Sequence, residues 1–257
     1  MNSTPGTTTR GARGRRRAML LGTVAGGSAL LLTLATGPAQ AAGTVGTIDI
    51  GHVDGLHVAL NEDGDQLVLG SNVDEDDYLP GSGFAAGYYP GSEVDASSGT
   101  PEYDFTVPAA NYDYEPTAYP DTWVLPADEP SSFETAPILY LGIAGTGEDL
   151  PVHGTSSPDA AYSLFNSLSA TDHVTFDISL VSAPAGGASD IPGADVLGTD
   201  AWGLTFDLGG SATEPIHHHF DWTFSHAGVY KFAVTASSDN AAVADSAPVV
   251  YQFTVES

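Results

Sequence analysis

The chain contains no cysteine. Disulfides and thiolate-based zinc sites are therefore excluded, and an exported fold of this sequence must rest on its apolar core alone. Basic residues are nearly as scarce. Five of the six Lys and Arg precede residue 18, and all thirty-three Asp and Glu follow Ala41, where Lys231 is the single base. Thirty-three acids against one lysine leave that part of the chain at −32 with histidine neutral. Such a surface repels nucleic acid and anionic lipid and concentrates cations around it. No second apolar run of spanning length follows the first forty residues, so membrane insertion is not expected there. A sustained 3.6-residue apolar period is also missing, which argues against long amphipathic helices.

The first forty-one residues have the makeup of a signal peptide. An arginine-rich, acid-free start to Arg17 leads into the apolar stretch from Ala18 to Ala35 and then into Ala39-Gln40-Ala41, an A-x-A cleavage pattern. Arg16-Arg17-Ala18-Met19-Leu20 also suits a twin-arginine signal, so both the Sec and the twin-arginine routes fit. The expected product is one domain, residues 42–257, secreted or held at the cell surface.

What fills that domain is alternation. Val174, Phe176, Ile178 and Leu180 share one face of an extended segment. So do Trp202, Leu204, Phe206 and Leu208, then Tyr230, Phe232, Val234 and Ala236, then Val249, Tyr251, Phe253 and Val255. Ile138 to Ala144 is apolar throughout and predicts a central strand. Leu56–Leu60 and Gln66–Gly70 flank Asp63-Gly64, which suits a hairpin turn. The pattern predicts an all-β protein, a single immunoglobulin-like β-sandwich. It is interrupted between Asn72 and Pro120 by a long Tyr/Pro/Gly-rich loop region, expected to hold short strands or to pack across a sheet. Asp74, Glu75, Asp76 and Asp77 within it lack the EF-hand alternation and read as a solvated acidic loop. Little helix is expected, and residues 157–168 are a candidate for a short helical turn that Ser157 or Asp159 could cap.

Four of the eight histidines lie between Pro215 and Tyr230, three of them consecutive. On one strand from Pro215 to Phe224, parity places His218, Phe220, Trp222 and Phe224 on the core face. His217, His219, Asp221, Thr223 and Ser225 fall on the other. Side chains at i and i+2 lie about 6.5–7 Å apart, close enough for two imidazoles to converge on one ion. The bland alternative is an exposed histidine pair on an acidic sheet. A third ligand must come from elsewhere. His52 and Asp54 share the parity of Ile48 and Ile50, and Gly51 could mark a bulge that re-aims them. Asp221 and Asp54 are the candidate oxygen ligands. His57 and His173 are expected at the surface, and His153 and His226 in turns.

Three stretches carry a resemblance: Gly51–Val58 ("GHVDGLHV"), residues 122–143 ("TWVLPADEPSSFETAPILYLGI") and residues 217–237 ("HHHFDWTFSHAGVYKFAVTAS"). In this order they resemble the actinobacterial surface-anchored proteins with a choice-of-anchor M domain, over nearly the whole chain after the signal segment. The resemblance implies metal ligation by His52, His217 and His219, with His218 at a variable position. It also places family aromatics at Trp123, Trp222 and Tyr230 and the turn glycine at Gly228. It further implies work beside a metal ABC transporter, with the metal ion and a solute-binding component as partners. Nitrogen ligands without thiolate favour zinc over manganese, with copper and nickel also compatible. Two departures stand out: "ILYLG" replaces the tryptophan-bearing family version, and no sortase motif follows the last strand, so covalent anchoring is not expected.

Two rival functions come from other classes. One is a structural or adhesive β-sandwich without metal. The other is a metalloenzyme with an open fourth zinc position, ranked last because no nucleophile elbow, Walker loop or H-E-x-x-H occurs.

Overall fold

The computed structural model describes residues 47–49, 51–73, 87–90, 103–114, 119–132, 136–147, 162–190, 200–209, 213 and 215–257. All of them belong to one compact unit, Gly37–Ser257. The alternating stretches are strands β8 (His173–Ser182), β10 (Ala201–Asp207), β13 (Gly228–Ser238) and β14 (Val249–Val255). With β1 (Thr47–Ile48) and β5 (Tyr103–Val107) they form a six-stranded sheet in the order β1-β5-β14-β13-β8-β10. A second sheet runs β11 (Ile216–His219), β7 (Leu139–Gly145), β2 (Gly51–Leu60), β3 (Leu67–Val73) and β4 (Gly87–Pro90). The predicted central strand is β7, buried at every position. β2 and β3 form the predicted hairpin. Its turn is closed by Gly64 N–H on the Asn61 carbonyl at 2.9 Å, with Gly64 at φ 70°, a conformation natural to glycine.

The inner faces of the two sheets share one apolar cluster, so the sandwich expectation holds. The Tyr251 hydroxyl crosses it, donating to the Gly70 carbonyl at 2.9 Å. At its centre Phe253 meets Phe224, Trp222 and Phe232 at ring separations of 5.5–5.7 Å. Each such buried phenylalanine contributes about 1.5–3 kcal/mol, which is how a chain without disulfides stays folded. Among the described residues three strand pairings are parallel, β1 with β5, β5 with β14 and β2 with β7.

A small third sheet, absent from the two-sheet expectation, runs β6 (Trp123–Leu125), β12 (Trp222–Phe224) and β9 (Ser189–Asp190). It corrects the reading of Pro215–Phe224 as one strand. The chain leaves the second sheet after His219 and enters the third at Trp222, so parity does not carry across the break. Thr223, expected outside, is buried. His218 does point away from His217 and His219, but it is an exposed residue stacked on Phe206 at 5.0 Å rather than a core one.

Among the described residues of the helical candidate is a 3-10 turn, Leu164–Asn166, whose Ser163 cap accepts from Phe165 N–H. Ser157, Asp159, the acids of residues 74–77 and His153 lie outside the described residues. The region from 72 to 120 contributes β4, β5 and a turn at Ala109–Asn111. Asn111 there is buried and fastens β6 to β7, donating to the Val124 carbonyl at 2.7 Å and accepting from Leu139 N–H at 3.1 Å. Among the described residues no helix is long and apolar enough to cross a membrane.

His173 lies at the surface as expected, its ring held between Asp239 at 2.7 Å and Asp207 at 2.8 Å. The hydrogen bond to Asp239, against some desolvation and helped by the charges of Asp239, Asp207 and Asp172, raises its pKa. A raised folded pKa contributes stability in full below the ordinary histidine value of about 6.5, and that contribution fades as pH rises through the folded value. His173→Gln should therefore lower the urea midpoint at about pH 5.5 and leave it nearly unchanged at about pH 8.5. Equal losses at both pH values would show that His173 acts only by packing.

Candidate metal centre

The sequence brings its histidines together across three neighbouring strands. β7 runs parallel to β2 and antiparallel to β11, with His52 opposite Tyr140, His219 opposite Gly142 and His217 opposite Ala144. In the sheet order β7 lies between the strand of His52 and the strand of His217. Gly51, at φ 104°, turns the chain from β1 in one sheet into β2 in the other and so frees His52 from the parity of Ile48. Val53, Leu56 and Val58 enter the core, while His52 and Asp54 point out of it on the same face as His217 and His219.

Adjacent strands lie about 4.8 Å apart, so ligands on β2 and β11 must meet across roughly 9.5 Å, over the top of β7. Gly142 permits this. A Cβ placed there would stand 2.6 Å from Asp54 Oδ1 and 2.7 and 2.8 Å from Cε1 and Nε2 of His219. The space a side chain would occupy is where the ligand atoms converge.

Four donor atoms meet there, the Nε2 atoms of His52, His217 and His219 and one Asp54 carboxylate oxygen, all within 4.8 Å of one another. Nε2 of His219 is 3.1 Å from that of His52 and 3.2 Å from that of His217. Asp54 Oδ1 is 3.5, 3.7 and 4.0 Å from Nε2 of His217, His52 and His219. Zinc bound tetrahedrally at about 2.0–2.1 Å spaces its ligands roughly 3.3–3.4 Å apart. The donors observed are near that spacing.

Hydrogen bonding does not account for the cluster. An imidazole nitrogen offers one in-plane hydrogen or one lone pair, so Nε2 of His219 cannot bond well to two nitrogens at once. Asp54 Oδ1 is buried and accepts no hydrogen bond among the described residues. Burial pushes its pKa up, but the attraction of the nearby His52 imidazole and of His57 and His217 outweighs that and brings it down to about 2. Burial, with repulsion from His52, holds His219 down at about 4 despite the pull of Asp54. An ionised carboxylate beside a neutral imidazole is the state a cation requires. The residues present therefore fit a metal ion.

The surroundings fix the donors. Asn72 Nδ2 donates to Asp54 Oδ2 at 3.4 Å, which leaves Oδ1 facing the histidines. Tyr140 stacks on His219 with centroids 4.0 Å apart and planes 7° from parallel, and its hydroxyl donates to the Ala127 carbonyl at 3.3 Å. Burial, then Glu129, Asp128 and Asp54, push that phenol up to about 12, so it stays neutral.

His57 is not at the surface as expected. It is 2% exposed, its Nε2 is 2.9 Å from Thr146 Oγ1, and its Nδ1 is 4.0 Å from Asp54 Oδ2. A register shift between Asp54 and His57 adds one residue to β2 and moves His57 onto the face of His52. Tyr114 on Tyr140 and Tyr162 on Ala59 help cover that face, which explains the burial. Of the two candidate oxygen ligands, Asp221 is engaged elsewhere, accepting from Ala127 N–H at 2.7 Å. Sequence reasoning passed over Gly142 and Tyr140 as parts of the site, although the small residue in "ILYLG" was the available signal.

Fold and site together define an all-β protein whose His52, Asp54, His217 and His219 form a cluster able to hold a metal ion. No protein-family model, curated protein or solved structure matches the chain.

Proposed function

We propose that the protein is an exported zinc-binding member of the choice-of-anchor M family that handles metal at the cell surface beside a metal ABC transporter. The observation that carries metal binding is the convergence of three Nε2 atoms and the unbonded Asp54 Oδ1 above Gly142. The choice of zinc rests on the donor set, three imidazoles with one carboxylate and no thiolate, which suits a borderline ion better than manganese. Export rests on the signal-like first forty-one residues, and the transporter link on the three sequence stretches alone. Binding is favoured over catalysis because four protein donors fill a tetrahedron, whereas catalytic zinc sites keep one position for water. Metal analysis of the purified protein, with native mass spectrometry against manganese, copper and nickel, should find one zinc per chain. A protein that holds none of these ions would support the structural or adhesive alternative instead.

A further inference from the structure

The four donors are not equivalent. His52, Asp54 and His219 have side chains 9–10% exposed, whereas that of His217 is 32% exposed. His52 and Asp54 sit on β2, which is paired on both sides, by β7 and β3. His217 sits on β11, a four-residue strand at the end of its sheet that pairs with β7. Tyr140, 6% exposed, stacks on His219 and not on His217. Removing the His217 ring leaves His52, Asp54 and His219 with their mutual distances of 3.1, 3.7 and 4.0 Å, a three-donor face open on one side.

Building on the metal-binding reading above, we propose that His217 is the exchange ligand, the one donor displaced when the ion is loaded or handed on. His217, the most exposed of the four donors, is the one an incoming nitrogen or oxygen donor from a second metal-binding protein meets first. As that donor's lone pair engages, Nε2 of His217 departs as neutral imidazole and keeps its own pair. The ion keeps its charge, and no electron or proton changes hands. The buried trio retains the ion throughout, which suits a site that passes its cargo on rather than one that locks it in place.

The test is zinc release from the full chain into a chromophoric chelator, followed by stopped flow, for the parent, His217→Ala, His218→Ala and His219→Ala. The parent should release faster as chelator concentration rises. His217→Ala should still hold one zinc and release it on the order of 10–100-fold faster, a loss comparable to that of an outer-shell partner, with added imidazole slowing release again. His218→Ala, on the other face of β11, should match the parent, and His219→Ala should hold no zinc. If His217→Ala, with its urea midpoint unchanged, loses zinc as completely as His219→Ala or releases it at the parent rate, the exchange role is overturned. A parent that binds no zinc defeats the metal-binding reading itself, which is a separate result.

Discussion

Asp54→Asn is expected to weaken zinc binding by more than the roughly 10–100-fold that loss of an outer-shell partner costs, while the protein stays folded. The substitution keeps the shape of the side chain and an oxygen that can still accept from Asn72. What it removes is the one formal negative charge among four donors. In a buried cluster that charge is poorly screened, so it contributes far more to holding a dication than a surface carboxylate would. Three neutral imidazoles and an amide remain, and the amide oxygen is a much weaker ligand. Asp221→Asn provides the comparison. Its carboxylate is equally plausible from sequence, but it accepts from Ala127 N–H, a role an amide oxygen can fill. Competition titration with a chelating dye should therefore separate the two variants clearly. Equal affinities for Asp54→Asn and the parent would remove Asp54 from the ligand set.

That pair of aspartates shows where sequence reading succeeds and where it stops. Two-residue alternation located β8, β10, β13 and β14 because each has one face in the core and a more exposed or more polar one opposite, so the period is printed in residue type. β2 carries no such contrast. All ten of its residues are buried, and one inserted residue between Asp54 and His57 reverses parity midway. That insertion misplaced His52, while counting from Leu56 put His57 on the right face, one that alternation could not show to be covered by Tyr114 and Tyr162. The strand ending at Phe224 failed for a related reason. Ile216–His219 and Trp222–Phe224 are each extended, and nothing in their composition marks the change of sheet between them.

The histidines themselves were legible because pairing at i and i+2 is a local property. His217 and His219 lie on one face whichever sheet they join. The third histidine came with the resemblance, and its place was secured by Gly51, whose backbone conformation redirects β2. The identity of the strand between the ligands was not legible. A parallel pairing of β2 with β7 joins segments more than eighty residues apart, and only the assembled sheet reveals that Gly142 lies beneath the cluster.

Gly142→Ala carries the second large expectation, a loss of zinc affinity on the order of 100-fold or more, since an outer-shell loss alone reaches that range. The backbone at Gly142 is not in the positive-φ region, so the strand itself accepts alanine. The conflict lies above it. A methyl group 2.6 Å from Asp54 Oδ1 and 2.7 Å from Cε1 of His219 forces both of these ligands to retreat by several tenths of an ångström. Without metal the retreat is cheap, because the two side chains need not share a point. With metal both must reach one ion, so the strain falls on the loaded form. The urea midpoint of the metal-free variant should stay close to that of the metal-free parent, while the extra stability conferred by zinc largely disappears. Gly203→Ala on β10 is the matching control: the new methyl meets nothing nearer than Asp177 Oδ1 at 3.5 Å, and zinc affinity should not change. Should Gly142→Ala bind zinc as tightly as the parent, the donors do not converge above β7, and the site built from His52, Asp54, His217 and His219 must be abandoned.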